Sequence, residues 1–231
     1  MKLLNVFCEG QTEQGFCSQV LQPHLFPNGD GRVLTLAVGV KNNHHLNGLG
    51  RRGKYDRVRK FITNTIKSRA KPNVYFTTFF DLYALPLDFP GTAENLRNAS
   101  DPTLYVRSLE EAFATDINSP YFLPHIQLHE FETMLFADPG AFAIAFENCE
   151  EKTLRLKSIA EEFPSIEHIN DGRTTAPSKR IIEVFPEYDG RKASAGPDIA
   201  EVIGLPLIRK KCPHFDAWLS LLETLPWESS L

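Results

Sequence analysis

The sequence predicts an α/β protein: a mostly parallel four-stranded sheet flanked by helices, with a helical C-terminal half packed on it. Two observations predict this class. As far as Leu128, short apolar runs bounded by breakers alternate with segments of helical period. Beyond Leu128 the strand signal fades, and helical patterns interrupted by prolines take over. Alternation of the first kind argues for parallel strands joined by right-handed helical crossovers.

The predicted strands are Lys2–Cys8, Val33–Val40, Asn73–Phe80 and Tyr121–Gln127. Between them, Thr12–Leu25 carries Phe16, Val20, Leu21 and Leu25 at helical spacing. Tyr55–Ser68 does so with Val58, Phe61, Ile62 and Ile66, and Pro102–Ala114 with Leu104, Leu109 and Phe113. In the second half, His129–Phe136, Pro139–Phe146, Glu151–Phe163, Ser178–Phe185, Pro197–Ile203 and Phe215–Leu225 read as helices. No long polar linker separates the halves, so residues 1–231 read as one domain, with an α/β core over 1–138 and a helical extension over 139–231. The loops Ala84–Thr92 and Asn170–Ala176, rich in Pro, Gly and Asp, suit ordered segments near a site.

Composition bounds the function. A chain of 231 residues with 42% apolar and 23% charged residues reads as soluble and globular. There is no apolar run of ~18 residues to span a membrane. Met1-Lys2-Leu3-Leu4-Asn5 leads into a strand without the features of a signal peptide, so a cytoplasmic location is expected. Cys8, Cys17, Cys149 and Cys212 form no CxxC pair; free thiols are expected, and no zinc site. A net charge of −4 argues against bulk affinity for nucleic acid. The cations are unevenly spread, however: Arg51, Arg52, Lys54, Arg57, Arg59, Lys60, Lys67, Arg69 and Lys71 face one local acid, Asp56. Such a segment is either a phosphate-facing patch or a solvated helix face.

The residues that carry chemistry are acids at strand ends. The first apolar run stops on Glu9, and Gly10, Thr12 and Glu13 follow; the third stops on Asp81, and the fourth runs into His129-Glu130-Phe131-Glu132. Parallel strands would bring Glu9 and Asp81 to the same sheet edge, where α/β folds place ligands. Taken singly, each acid also fits a cap, a solvated turn or a complement to a helix dipole. Together, converging carboxylates repel one another unless a cation sits among them. Oxygen ligands without cysteine suggest Mg²⁺ or Mn²⁺. Glu130 and Glu132 cannot point the same way on an α-helix, where two residues give ~200° of rotation, unless that helix starts later. His129 fits a structural, hydrogen-bonded histidine or a catalytic group. Lys54 and Lys179 each stand at a predicted helix start, where a cation opposes the dipole and a nearby anion would explain it. The HExxH, GxSxG and Walker lysine patterns are absent.

Glu9-Gly10-x-Thr12-Glu13 after a strand, with Asp81 ending a later one, resembles the Toprim domain of topoisomerases, primases and the overcoming-lysogenization-defect (OLD) nucleases. Over nearly its whole length the chain resembles the bacterial DUF4276 family, grouped with Toprim-like proteins. The matching pieces include Asp81-Leu82-Tyr83-Ala84-Leu85-Pro86, Gln127-Leu128-His129-Glu130-Phe131-Glu132, Ala176-Pro177-Ser178-Lys179-Arg180 and Cys212-Pro213-His214-Phe215. The resemblance implies a nuclease hydrolysing phosphodiesters of DNA or RNA with Mg²⁺ or Mn²⁺. Glu9 and Glu13, helped by Asp81, would bind one ion, and Glu130 or Glu132 a second. Lys179 would face the charge developing on the phosphate. Arg51, Arg52, Lys54, Arg57 and Arg180 would contact the nucleic acid. It further implies an effector in anti-phage defence, paired with an ATPase. Toprim proteins usually carry Asp-x-Asp at the third strand end; here the second position is Tyr83, which leaves open a non-catalytic binding or regulatory subunit of such a complex.

Overall fold

The protein is described from a computed structural model covering residues 1–38, 55–92, 101–169, 172 and 174–227. Arg51, Arg52, Lys54 and the end of the second predicted strand lie outside these residues. Contacts divide the chain into a sheet unit (1–10, 26–126 and 225–231) and a helical unit (11–25 and 127–224). No helix among the described residues is long and apolar enough to cross a membrane.

The sheet unit holds the parallel sheet expected of an α/β fold. Its strands are β1 (Lys2–Cys8), β2 (Gly31–Ala37), β3 (Val74–Asp81) and the two-residue β4 (Phe122–Leu123), in the order β2-β1-β3-β4 and parallel throughout. β1 and β3 are the central strands and the most apolar, as a sheet covered on both faces requires. On one face Phe7 meets Phe61 of α3 (Tyr55–Arg69), while Phe80 and Phe122 meet Phe113 of α4 (Pro102–Ile117). Tyr75, directed to the opposite face, packs on Trp227. Asp101 caps α4 through the Thr103 N–H, with Pro102 at the first helical position, and Asn118 ends it in the left-handed region.

The predicted strand Tyr121–Gln127 is broken. Pro124 has no N–H to give a ladder, and the chain resumes pairing with β3 only at β5 (Ile126–Gln127). Two threonines of β3 bridge the gap. The Thr77 hydroxyl donates to the Leu123 carbonyl at 2.6 Å; the Thr78 hydroxyl donates to the His125 carbonyl at 2.8 Å and accepts the His125 N–H at 2.9 Å. Glu110 of α4 accepts the Ile126 N–H at 2.8 Å and lies 3.5 Å from Nδ1 of the fully buried His125.

In the helical unit, α1 (Gln11–Phe16), a π-helical turn Cys17–Leu21 and α2 (Gln22–Leu25) run on as one element. The HEFE segment is helical as expected, but it is a 3-10 helix, Phe131–Ala137, and Pro139–Ile144 forms a second. Then come α5 (Glu150–Glu161), α6 (Pro177–Val184), α7 (Lys192–Ile203), α8 (Leu205–Lys211) and α9 (Pro213–Glu223). Pro197 was expected to open a helix and instead lies inside α7. The face it presents is the one α1 packs against: a Cβ on Gly15 would stand 2.6 Å from Pro197 Cγ, so only glycine fits there.

Candidate active-site carboxylates

In the sheet unit, the parallel register Cys8↔Phe79 brings the ends of β1 and β3 side by side. The Asp81 N–H donates to Glu9 Oε1 at 3.0 Å, so the two acids share the sheet edge that the sequence assigned them. Both are half-buried. Tyr83 follows on a short 3-10 turn, Leu82–Ala84, and is 45% exposed, adding no carboxylate there. Asp88 accepts the Tyr55 N–H at 3.4 Å, a contact at the start of α3.

The helical unit gathers the other acids. Glu13 stands in the first turn of α1 but is only 6% exposed, which is not the setting of a solvated dipole complement. Glu130 is 7% and Glu132 6% exposed. His129 adopts φ +62°, uncommon for a residue with a Cβ. Glu130 stays extended, and the 3-10 helix begins only at Phe131, with the Thr133 N–H closing onto the Glu130 carbonyl at 3.1 Å. That late start removes the ~200° separation an α-helix would impose. The two carboxylates interact: burial first, then the Glu130 charge, then Glu13, push the Glu132 carboxyl up to about 7, against Lys192 and the segment's own backbone.

Lys192, the first residue of α7, places Nζ 3.8 Å from Glu132 Oε1. The Tyr188 hydroxyl donates to the same oxygen at 3.4 Å. Tyr188 is fully buried, and burial followed by the Glu132 charge holds its phenol well above its ordinary value, so it remains a donor. Glu130 has a different environment. Its Oε2 accepts the Ser178 N–H at 2.8 Å and its Oε1 the Ser178 hydroxyl at 3.1 Å. The N-cap of α6 is Ala176, which has no capping side chain, and Glu130 supplies the acceptor instead. Glu167 serves α9 in the same way, accepting the His214 and Phe215 N–H groups. Pro177 and Pro213 open these two helices, so a buried carboxylate beneath a proline-initiated helix occurs twice.

Of the predicted cations, Arg57, Lys179 and Arg180 lie among the described residues. Lys179 is exposed in the first turn of α6, and the anion at that helix start is Glu130. Arg180 bonds the Thr175 carbonyl at 2.8 Å and lies over the Phe163 ring. On α3, Arg57 is exposed, while Arg59 pairs with Asp116, Lys60 with Asp56, and Arg69 bonds Asn5. Sequence reasoning missed Lys192 and Tyr188. The helix was expected to open at Pro197, whereas it opens at Lys192, so neither residue stood at a predicted element start.

The profile of the family described as Domain of unknown function (DUF4276) matches residues 8–223. The chain belongs to DUF4276. Every acid discussed above, from Glu9 to Glu167, falls within the DUF4276 match, as do Lys179, Tyr188 and Lys192. No curated protein and no solved structure matches this DUF4276 chain.

Proposed function

We propose that this DUF4276 protein is a Mg²⁺- or Mn²⁺-dependent nuclease, the effector of a bacterial anti-phage system that works with an ATPase partner. The observation that carries the metal requirement is the pressure on Glu132. Glu132 is held out of water against the charges of Glu130 and Glu13, themselves buried, with Lys192 the cation described beside it. An all-oxygen set of this kind fits a hard divalent cation, which would offset the repulsion on Glu132. Glu9 and Asp81 form a second oxygen pair, in the sheet unit.

A divalent ion bound to these acids supplies Lewis-acid polarisation of a phosphate and acidification of water. The chain's own groups do the rest. Ser178 fixes both oxygens of Glu130, which orients that carboxylate as a ligand. The Tyr188 hydroxyl holds Glu132 Oε1. The Lys192 ammonium, 30% exposed in its side chain, offers a point charge to a phosphate oxygen. Lys179, exposed on α6, is a second cation for the same role.

The test is cleavage of plasmid DNA and short RNA in Mn²⁺, with any ATPase encoded beside the gene supplied. Cleavage lost in both Glu132→Gln and Glu9→Ala supports the reading; cleavage that survives in both variants rejects it. One observation favours a second reading, a non-catalytic binding subunit: β3 ends on Asp81 followed by the exposed Tyr83, one acid short of the Toprim pattern. That reading predicts Mn²⁺ binding without turnover.

A further inference from the structure

The lysines and arginines of the helical unit fall into two groups. Lys152 pairs with Glu187, Arg155 with Glu183, Arg209 with Asp216 and Glu223, and Lys192 with Glu132. Arg180 and Arg191 bond backbone carbonyls and lie over Phe163 and Phe146. Lys157, Lys210 and Lys211 are exposed and have no such partner among the described residues, and all three line a single cleft of about 730 Å³. Lys179 is the other unpaired cation described in the unit.

The exposed apolar side chains that line the cleft are Leu154, Pro164 and Pro213, and the half-buried Phe163 adds an aromatic ring. Its acids are Asp138 and Glu161. Asp138 is engaged by the backbone, accepting the Gly140 N–H at 2.9 Å as the cap of the second 3-10 helix. Charge therefore favours an anion, while the lining favours a flat apolar group. Phe136, another residue of the lining, lies on the 3-10 helix that carries Glu132, four residues on, or about 8 Å along its axis at the usual rise.

We propose that this cleft binds a single strand of nucleic acid, with backbone phosphates on Lys157, Lys210 and Lys211 and an unpaired base against Leu154, Phe163 and Pro164. A charged groove with aromatic side chains is how single strands are held without sequence preference. A duplex would use the lysines but leave the apolar lining without a partner, because its bases face one another. The proposal rests on the nuclease reading and deepens it by naming the form of the substrate.

The experiment is fluorescence anisotropy of a labelled 12-nucleotide DNA or RNA in EDTA, where no cleavage occurs. Wild type is compared with Lys157→Gln/Lys210→Gln/Lys211→Gln and with a control outside the cleft, Lys152→Gln/Arg155→Gln. All five side chains lie at the surface, so circular dichroism should match across the proteins. The triple variant is expected to lose at least tenfold in affinity at low salt. Its plot of log K against log salt should flatten by about 2, from three phosphate contacts at ~0.7 each. The control should keep both. No binding by wild type, an unchanged triple variant, a preference for duplex, or equal competition by poly-glutamate overturns the proposal. Loss of binding in the triple variant with no Mn²⁺-dependent cleavage by wild type would uphold the cleft and remove the nuclease reading.

Discussion

Replacing Glu132 by Gln should stabilise the metal-free protein, although it removes a charged partner of Lys192. The Glu132 carboxyl is pushed from 4.5 to about 7 by burial and by Glu130 and Glu13. At 1.36 kcal/mol per pH unit, this is on the order of 3 kcal/mol of unfavourable charging. Its direction follows from linkage. Between pH 4.5 and about 7 the unfolded chain has released this proton while the folded chain retains it, so stability falls as pH rises through that window. Glutamine cannot ionise, yet its carbonyl can still accept from Tyr188. Thermal melting in EDTA should therefore show variant and wild type nearly coincident at pH 4.5. By pH 8 the variant should be ahead by roughly 10 °C, at about 2–4 °C per kcal/mol for a chain of this size. A difference that stays flat from pH 4.5 to 8, or a variant less stable at pH 8, would refute the strained carboxylate group.

Three further substitutions probe the same framework. Ser178→Ala removes the hydroxyl bond to Glu130 but keeps the N–H bond; it should cost about 1–2 kcal/mol in urea unfolding and weaken Mn²⁺ binding about tenfold by calorimetry. Thr78→Val, close in shape, strips both hydroxyl bonds to the His125 backbone and should cost about 2 kcal/mol in urea unfolding, with Ile126 and Gln127 losing hydrogen-exchange protection. Gly196→Ala puts a Cβ 3.0 Å from Thr12 Cγ2, 3.1 Å from Phe131 Cε1 and 3.2 Å from the Tyr188 oxygen; overpacking should cost about 1–3 kcal/mol and weaken Mn²⁺ binding by displacing Tyr188.

The acids were legible where they end an apolar run. Glu9 and Asp81 follow β1 and β3 directly, and a parallel register leaves one arrangement of their backbones. The Glu130 and Glu132 pair was legible only as a condition, because the sequence does not reveal that His129 takes positive φ and delays the helix to Phe131. Lys192 escaped because Pro197 imitates a helix start. Proline is favoured at the first helical position, yet here it sits in the sixth residue of α7 and contacts the space left by Gly15. The basic segment was legible only as composition. Composition counts charges but not partners, and Asp116, Asp56 and Asn5 engage Arg59, Lys60 and Arg69. The broken fourth strand was signalled by Pro124, whereas the repair by Thr77 and Thr78 comes from β3, distant in sequence.

The central claim is that Glu13, Glu130 and Glu132 form a divalent-cation site. Calorimetric titration of Mn²⁺ into the metal-free protein at pH 7.5 tests it most directly. The account predicts saturable binding in wild type, with proton release that follows the buffer's ionisation enthalpy as Glu132 is deprotonated, and loss of that binding in Glu132→Gln. Binding of equal strength in the variant, or none in wild type, would contradict it.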